Sequence, residues 1–131
     1  MAIKFIPEEI VLTIHSILLE RYGGSPGIRD KNLLESALAQ PKITMAGKYL
    51  HKTIFDKAAA YGFHVCKNHP FVDGNKRVSL VLMDIFLQKN GWQLIADETS
   101  AYEMMMNLAS GKMNKAQLSN WLEANCKRLK L

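Results

Sequence analysis

Apolar residues recur along this chain at helical spacing and are interrupted by glycine, proline and small polar clusters. Ile10, Val11, Ile14, Ile17 and Leu18 mark a first helix opening near Pro7, whose fixed φ suits a first helical position; Gly23-Gly24-Ser25-Pro26-Gly27 stops it. A second helix starts at Asp30 as N-cap, carries Leu33, Leu34, Ala37 and Leu38 on one face, and ends at Pro41. Lys42 to Lys52 shows no period and reads as a loop or a short hairpin-like flap. Thr53 to Asp56 resembles a capping signal for a third helix through Ala58, Ala59, Gly62 and Val65. After a loop from Asn68 to Gly74, a fourth helix starts at Asn75 or Lys76. It is apolar nearly all round from Val78 to Leu87, the pattern of a helix at the centre of a bundle, and Asn90-Gly91 closes it. Trp92 to Ile95 reads as one short extended segment. Ser100 to Glu103 fits the cap of a fifth helix ending near Gly111, and Asn114 to Gln117 the cap of a sixth carrying Leu118, Trp121, Leu122 and Leu129. No run alternates convincingly, so the expected class is all-α: a compact six-helix bundle with a loop at the start of its buried central helix.

Length and composition narrow this picture. At 131 residues the chain is the size of one domain, expected to span 1–131. Its 48% hydrophobic and 22% charged residues are a globular balance. Seventeen basic against twelve acidic residues give a net charge of +5, which favours an anionic partner: nucleotide, nucleic acid or acidic protein. The longest apolar run, Val78 to Leu87, is broken by Asp84 and falls well short of the ~20 residues a membrane span needs. Glu8 and Glu9 interrupt the start, and no small-residue cleavage site follows the apolar stretch ending at Leu19, so no secretory signal is expected. Cys66 and Cys126 lack C-x-x-C spacing and read as two reduced thiols of a cytoplasmic protein, with a bridge between them left open.

The candidate chemistry is concentrated in His69-Pro70-Phe71-Val72-Asp73-Gly74-Asn75-Lys76-Arg77, where a loop becomes a buried helix. A helix start offers unpaired N–H groups and a positive dipole end, together an anion site suited to phosphate. Gly74 lets the backbone approach a phosphate without a Cβ in the way. Asn75 either fixes the loop or donates to a phosphate oxygen. Lys76 and Arg77 add charge, Arg77 with a fork matched to phosphate geometry. Asp73 is a hard oxygen ligand of the kind that holds nucleotide-bound magnesium. Histidine has an unperturbed pKa suited to proton abstraction near neutrality, which makes His69 the candidate base. Phe71 pins the loop to the core. Neither G-x-x-x-x-G-K-[ST] nor G-x-G-x-x-G occurs, which leaves a P-loop or Rossmann site unsupported.

His69 to Arg77 resembles the H-x-F-x-[DN]-[AG]-N-K-R motif of Doc (death-on-curing) toxins, a branch of the Fic superfamily. Arg21 to Gly27 is similar to the segment that follows the first helix in Doc-type proteins. The resemblance spans roughly Pro7 to Ile95 and implies a compact helical fold with the motif at the start of its central helix. It further implies transfer of a phosphate-containing group from ATP to a protein hydroxyl. On that pattern His69 would activate the hydroxyl, Asp73 would hold Mg2+, Gly74 and Asn75 would form the anion hole, and Lys76 and Arg77 would bind the phosphates. The AMP-transferring Fic branch has H-x-F-x-[DE]-G-N-G-R-x-x-R. Here Lys76 replaces its second glycine and Leu80 its last arginine. That is the Doc pattern, which implies transfer of the terminal phosphate, with elongation factor Tu as the family's known target. Asp73-Gly74 also fits the AMP branch, so AMP transfer stays open. No Glu is followed by Gly or Asn, so the inhibitory [ST]-x-x-x-E-[GN] helix of many Fic proteins is missing. The resemblance then implies an antitoxin whose segment docks beside the motif in trans.

Other residues attract plainer readings. His51, His64 and His69 fit no common zinc spacing, and Cys66 lacks the electropositive surroundings of a thiolate nucleophile. Met104-Met105-Met106, Trp92 and Trp121 read mainly as packing, and Lys127, Arg128 and Lys130 as a solvated helix end rather than a nucleic-acid contact. A non-catalytic module holding an acidic peptide or nucleic acid is the alternative of a different class. A pure binder has no use for a base beside a carboxylate.

Overall fold

A computed structural model describes residues 2–130. In chain order it has α1 (Glu8–Tyr22), α2 (Lys31–Ala39), a 3-10 turn (Gln40–Lys42), β1 (Thr44–Met45), β2 (Lys48–Tyr49), α3 (Ile54–Asn68), α4 (Asn75–Lys89), β3 (Trp92–Leu94), α5 (Glu98–Ala109), α6 (Lys115–Ala124) and β4 (Cys126–Arg128). Six helices carry the architecture, and the four strands form two small antiparallel pairs. The class is all-α, as the periodicity implies.

Helices α3 and α4 form the middle. α3 packs on α2, α4, α5 and α6, and buries Phe55, Ala58, Ala59, Tyr61 and Val65. α4 buries Val78, Leu82, Met83, Phe86 and Leu87 against it. The two helices run so close that a Cβ on Gly62 would collide with the Met83 side chain, and Ser79 Oγ donates to the Gly62 carbonyl at 2.6 Å. α4 is not buried all round: Leu80 and Val81 are half-buried and line a cleft.

Local chemistry sets most helix starts. Asp30 accepts from Leu33 N at 3.0 Å, and Thr53–Asp56 and Asn114–Gln117 are full capping boxes. α5 starts earlier than the Ser100 signal suggests, because the Asp97 carboxylate takes the Ser100 N–H and opens the helix at Glu98. Pro7 is the N-cap rather than the first helical residue; its ψ of 151° is still extended. α6 stops at Ala124 instead of running to Leu129. Cys126, Lys127 and Arg128 pair with Leu94, Gln93 and Trp92, so the basic tail is a strand edge and not a helix end. Arg128 lies over the Trp92 ring at 4.8 Å, while Trp92 meets Phe55 edge-on. The flap is a hairpin, Thr44 opposite Tyr49, turned by Ala46-Gly47 with φ of 52° and 78°. Cys66 and Cys126 are free thiols. No helix among the described residues is long and apolar enough to cross a membrane.

Candidate active site

The motif begins where α3 ends. His69 takes a left-handed conformation (φ 50°, ψ 53°) at the C-cap, which turns the chain out of the helix and leaves the residue exposed. The last carbonyls of α3 are satisfied from a distance: Arg29 donates through Nε to His69 O at 2.7 Å and through an Nη to Asn68 O at 2.9 Å. The next residues are fixed by backbone. Arg29 N and Asp30 N both donate to Pro70 O, Ile28 and Phe71 form an antiparallel bridge, and Val72 N donates to Gly27 O. The Arg21–Gly27 resemblance thus has a physical meaning, since this stretch and the residues after it brace the motif loop.

Phe71 is fully buried and stacks on the His15 ring at 3.9 Å, with 16° between the planes. Asn75, 4% exposed, accepts from Phe71 N through Oδ1 and donates to Phe71 O through Nδ2, each at 2.9 Å. Of the two roles open to its side chain, the observed one is fixing the loop. What Asn75 offers an anion here is its backbone N–H.

Gly74 is the N-cap of α4 in the left-handed region (φ 82°), and no side chain caps this helix. The N–H groups of its first turn face outward with no side-chain acceptor. The Asp73 carboxylate accepts from Ser25 N at 3.2 Å and from Gly74 N at 2.8 Å. Those two bonds, helped by the nearby Arg77 charge, hold its carboxyl below the ordinary value. Gly24 lies so near that a Cβ there would come within 2.8 Å of Asp73 Oδ2. Lys76 and Arg77 are exposed, and neither forms an ion pair among the described residues. Arg77 rests its guanidinium over the Tyr22 ring at 4.7 Å.

His69, Asp73, Gly74, Asn75, Lys76 and Arg77 all line one cleft of about 860 Å³, whose other wall is α5. The motif supplies its polar end, and Leu80, Val81, Ala101 and Met105 supply apolar wall. Met104 and Met105 are buried while Met106 stays 42% exposed at the cleft, so the run mostly fills the core. No cluster of three His, Cys, Asp or Glu suited to a metal exists among the described residues. The Asp73 carboxylate, beside unpaired cations and the helix N–H groups, does fit a metal that arrives with phosphate oxygens.

The residues set aside for metal and thiolate chemistry have partners of their own. His51 and His64 both accept from Lys115 Nζ, at 3.0 and 3.1 Å. Burial, then the Lys115 charge, lowers His64 to about 4. Cys66 lines the cleft, but burial pushes its thiol up from the ordinary value, away from thiolate chemistry. His15 was not legible as a site residue. It sits between apolar positions of α1, and only its fold partner, Asp73 O at 2.9 Å, gives it a role.

Fold and motif together define a transferase with a helical core, and residues 5–87 match the Fic/DOC family; the chain belongs to that family. It is 39% identical over 105 residues to Toxin Doc of Mycolicibacterium smegmatis, covering 79% of this chain and 78% of that protein. It is also 28% identical over 116 residues to Protein kinase doc of Escherichia phage P1, covering 88% of this chain and 90% of the phage protein.

Proposed function

We propose that the protein is a Doc-like toxin of a toxin–antitoxin pair, a kinase that moves the terminal phosphate of ATP to a hydroxyl of a translation factor resembling elongation factor Tu, in the cytoplasm. The observation that carries this reading is the convergence of His69, Asp73, Lys76 and Arg77 on one cleft at the uncapped start of α4. The names of the relatives, a toxin and a protein kinase, support the same reading.

In this mechanism the His69 imidazole takes the proton of the acceptor hydroxyl as its oxygen bonds to the γ-phosphorus. The bond from that phosphorus to the β–γ bridging oxygen breaks, and ADP leaves. Asp73 would hold a Mg2+ ion that arrives with ATP, and the ion would supply neutralisation of the phosphate charge. The N–H groups of Gly74 and Asn75 and the cations of Lys76 and Arg77 orient the phosphates. Lys76 favours the kinase reading, because it is a free cation where the AMP-transferring branch has glycine. Asp73-Gly74 favours AMP transfer as the second reading. An antitoxin segment laid in or beside the cleft would occlude the site in trans.

The deciding experiment gives ATP labelled at either the α- or the γ-phosphate, with Mg2+, to purified protein and cell lysate. Wild type should pass the γ-label to protein, and Lys76→Gly should depress that transfer roughly tenfold to a thousandfold. Transfer of the α-label by wild type replaces the kinase with AMP transfer, and transfer of neither label removes the reading.

A further inference from the structure

We infer that His15 is a positioning residue of the active site: it locks the Asp73–Gly74 peptide so that the Gly74 N–H is aimed at a bound phosphate. The inference rests on the reading of this cleft as a phosphate-transfer site. It begins with a bond that no motif contains. His15 is 5% exposed, lies on α1, and donates from Nε2 to the Asp73 carbonyl at 2.9 Å. A carbonyl only accepts, so the hydrogen is on Nε2. That carbonyl has no other hydrogen-bond partner among the described residues.

The Asp73 carbonyl and the Gly74 N–H belong to the same peptide unit. In a planar trans peptide they point in opposite directions. Holding the oxygen inward on His15 therefore turns the N–H outward, to the side where the Asp73 carboxylate now accepts it at 2.8 Å. The Asp73 carboxylate oxygen holds that N–H in this structure, and a bound phosphate oxygen would take its place.

The unit needs a lock because of Gly74. Glycine passes easily between positive and negative φ, so the plane before it can flip at little cost. A flip would present a carbonyl oxygen to the phosphate in place of a donor. The His15 ring is itself fixed, stacked on the buried Phe71 at 3.9 Å. Phe71 is clamped in turn by Asn75, the first residue of α4. The orientation of one N–H is thus tied to α1 through a chain of rigid contacts, and His15 touches no substrate.

The test compares His15→Gln with His15→Asn and His15→Phe. Glutamine extends its amide about as far as Nε2; asparagine carries the same amide one methylene shorter; phenylalanine keeps the stack and loses the donor. Partners of this outer kind typically change affinity or activity by about 10–100-fold. Label transfer from γ-labelled ATP should fall by roughly that factor in the Asn and Phe variants, mainly in kcat, and recover in the Gln variant. The readout independent of activity is the Gly74 amide resonance in 15N-labelled protein titrated with inorganic phosphate. It should shift in wild type and His15→Gln and stay still in the other two. If wild type transfers neither label, the reading of the site has failed, and the amide titration still decides the role of His15. A Gly74 amide indifferent to phosphate in wild type, or equal behaviour of the Gln and Asn variants, overturns the inference. Should phenylalanine unfold the protein, the Gln and Asn pair decides alone.

Discussion

Beside the start of α3, His51, Asp56, Lys57, His64 and Lys115 are turned on one another and on nearby backbone. Past its end, His69, Lys76 and Arg77 face a cleft, and none of them forms an ion pair among the described residues. In the first region Lys115 donates to both imidazoles, Asp56 accepts from Ser119 Oγ at 2.6 Å, and Lys57, 2% exposed, donates to the carbonyls of His51 and Lys52. In the second the loop is held by backbone bonds, by Arg29, and by the inward-facing Phe71, Asn75 and His15. Residue types barely differ between the two regions. What separates a structural cluster from a candidate site is whether the side chains are already committed, and here backbone and buried residues free the outer ones.

That contrast can be broken most directly at His69. His69→Ala should lower phosphate transfer about 10²–10⁴-fold while the melting temperature stays where it was, because nothing in the fold leans on the side chain. Activity assay and thermal unfolding on the same sample check both halves; near-wild-type transfer would end the case for His69 as base. A smaller but still large effect is expected from the inner layer. Asn75→Ala strips the Phe71 N–H and carbonyl of their partners, at about 1–3 kcal/mol for each buried group left bare. Lys76→Ala, one residue away and exposed, should stay within about 0.5 kcal/mol of wild type. Denaturant unfolding of the two variants side by side measures the difference, and equal stabilities would mean that inner and outer residues are not divided as described.

The smallest effect belongs to the histidine–lysine cluster. His64 takes a proton near 6.5 when free and near about 4 in the fold. Between those values the unfolded chain binds more protons, so stability is complete above about 6.5 and falls as the pH drops towards 4. Burial lowers His51 in the same direction. His64→Gln should flatten this acid limb without touching transfer at neutral pH. Melting curves from pH 7 to 4 on both proteins test it, and parallel limbs would show that His64 titrates normally.

Much of this was legible from local signals. Asp30, Thr53 and Asn114 cap helices because each acts on an N–H three residues on, a distance that sequence reading can see. The motif residues His69, Asp73, Lys76 and Arg77 stood out because their types and order suit phosphate chemistry, and the fold brings them to one cleft. The misreadings share a different cause. β4 looked like the end of α6 because three residues cannot show alternation, and its partner β3 lies 32 positions upstream at the nearest pair, Cys126 against Leu94. Ser100 looked like a cap because the Asp97 signal falls only three residues earlier, and the fold used the stronger acceptor. His15 gave no signal, since its meaning depends on a carbonyl 58 residues later.

Sequence separation also divides the helix caps from the brace of the site. The caps of α2, α3, α5 and α6 close over three residues, so each bears only the entropy of a short local turn. The brace of the motif joins residues 40 apart at Arg29–His69 and 58 apart at His15–Asp73, and contacts of that span bear the entropy of closing a long loop before they contribute. A chain with α3 and α4 packed but α1 undocked keeps every motif residue and loses the His15 partner of the Asp73 carbonyl, so the orientation proposed for the Gly74 N–H depends on a helix that carries no part of the motif.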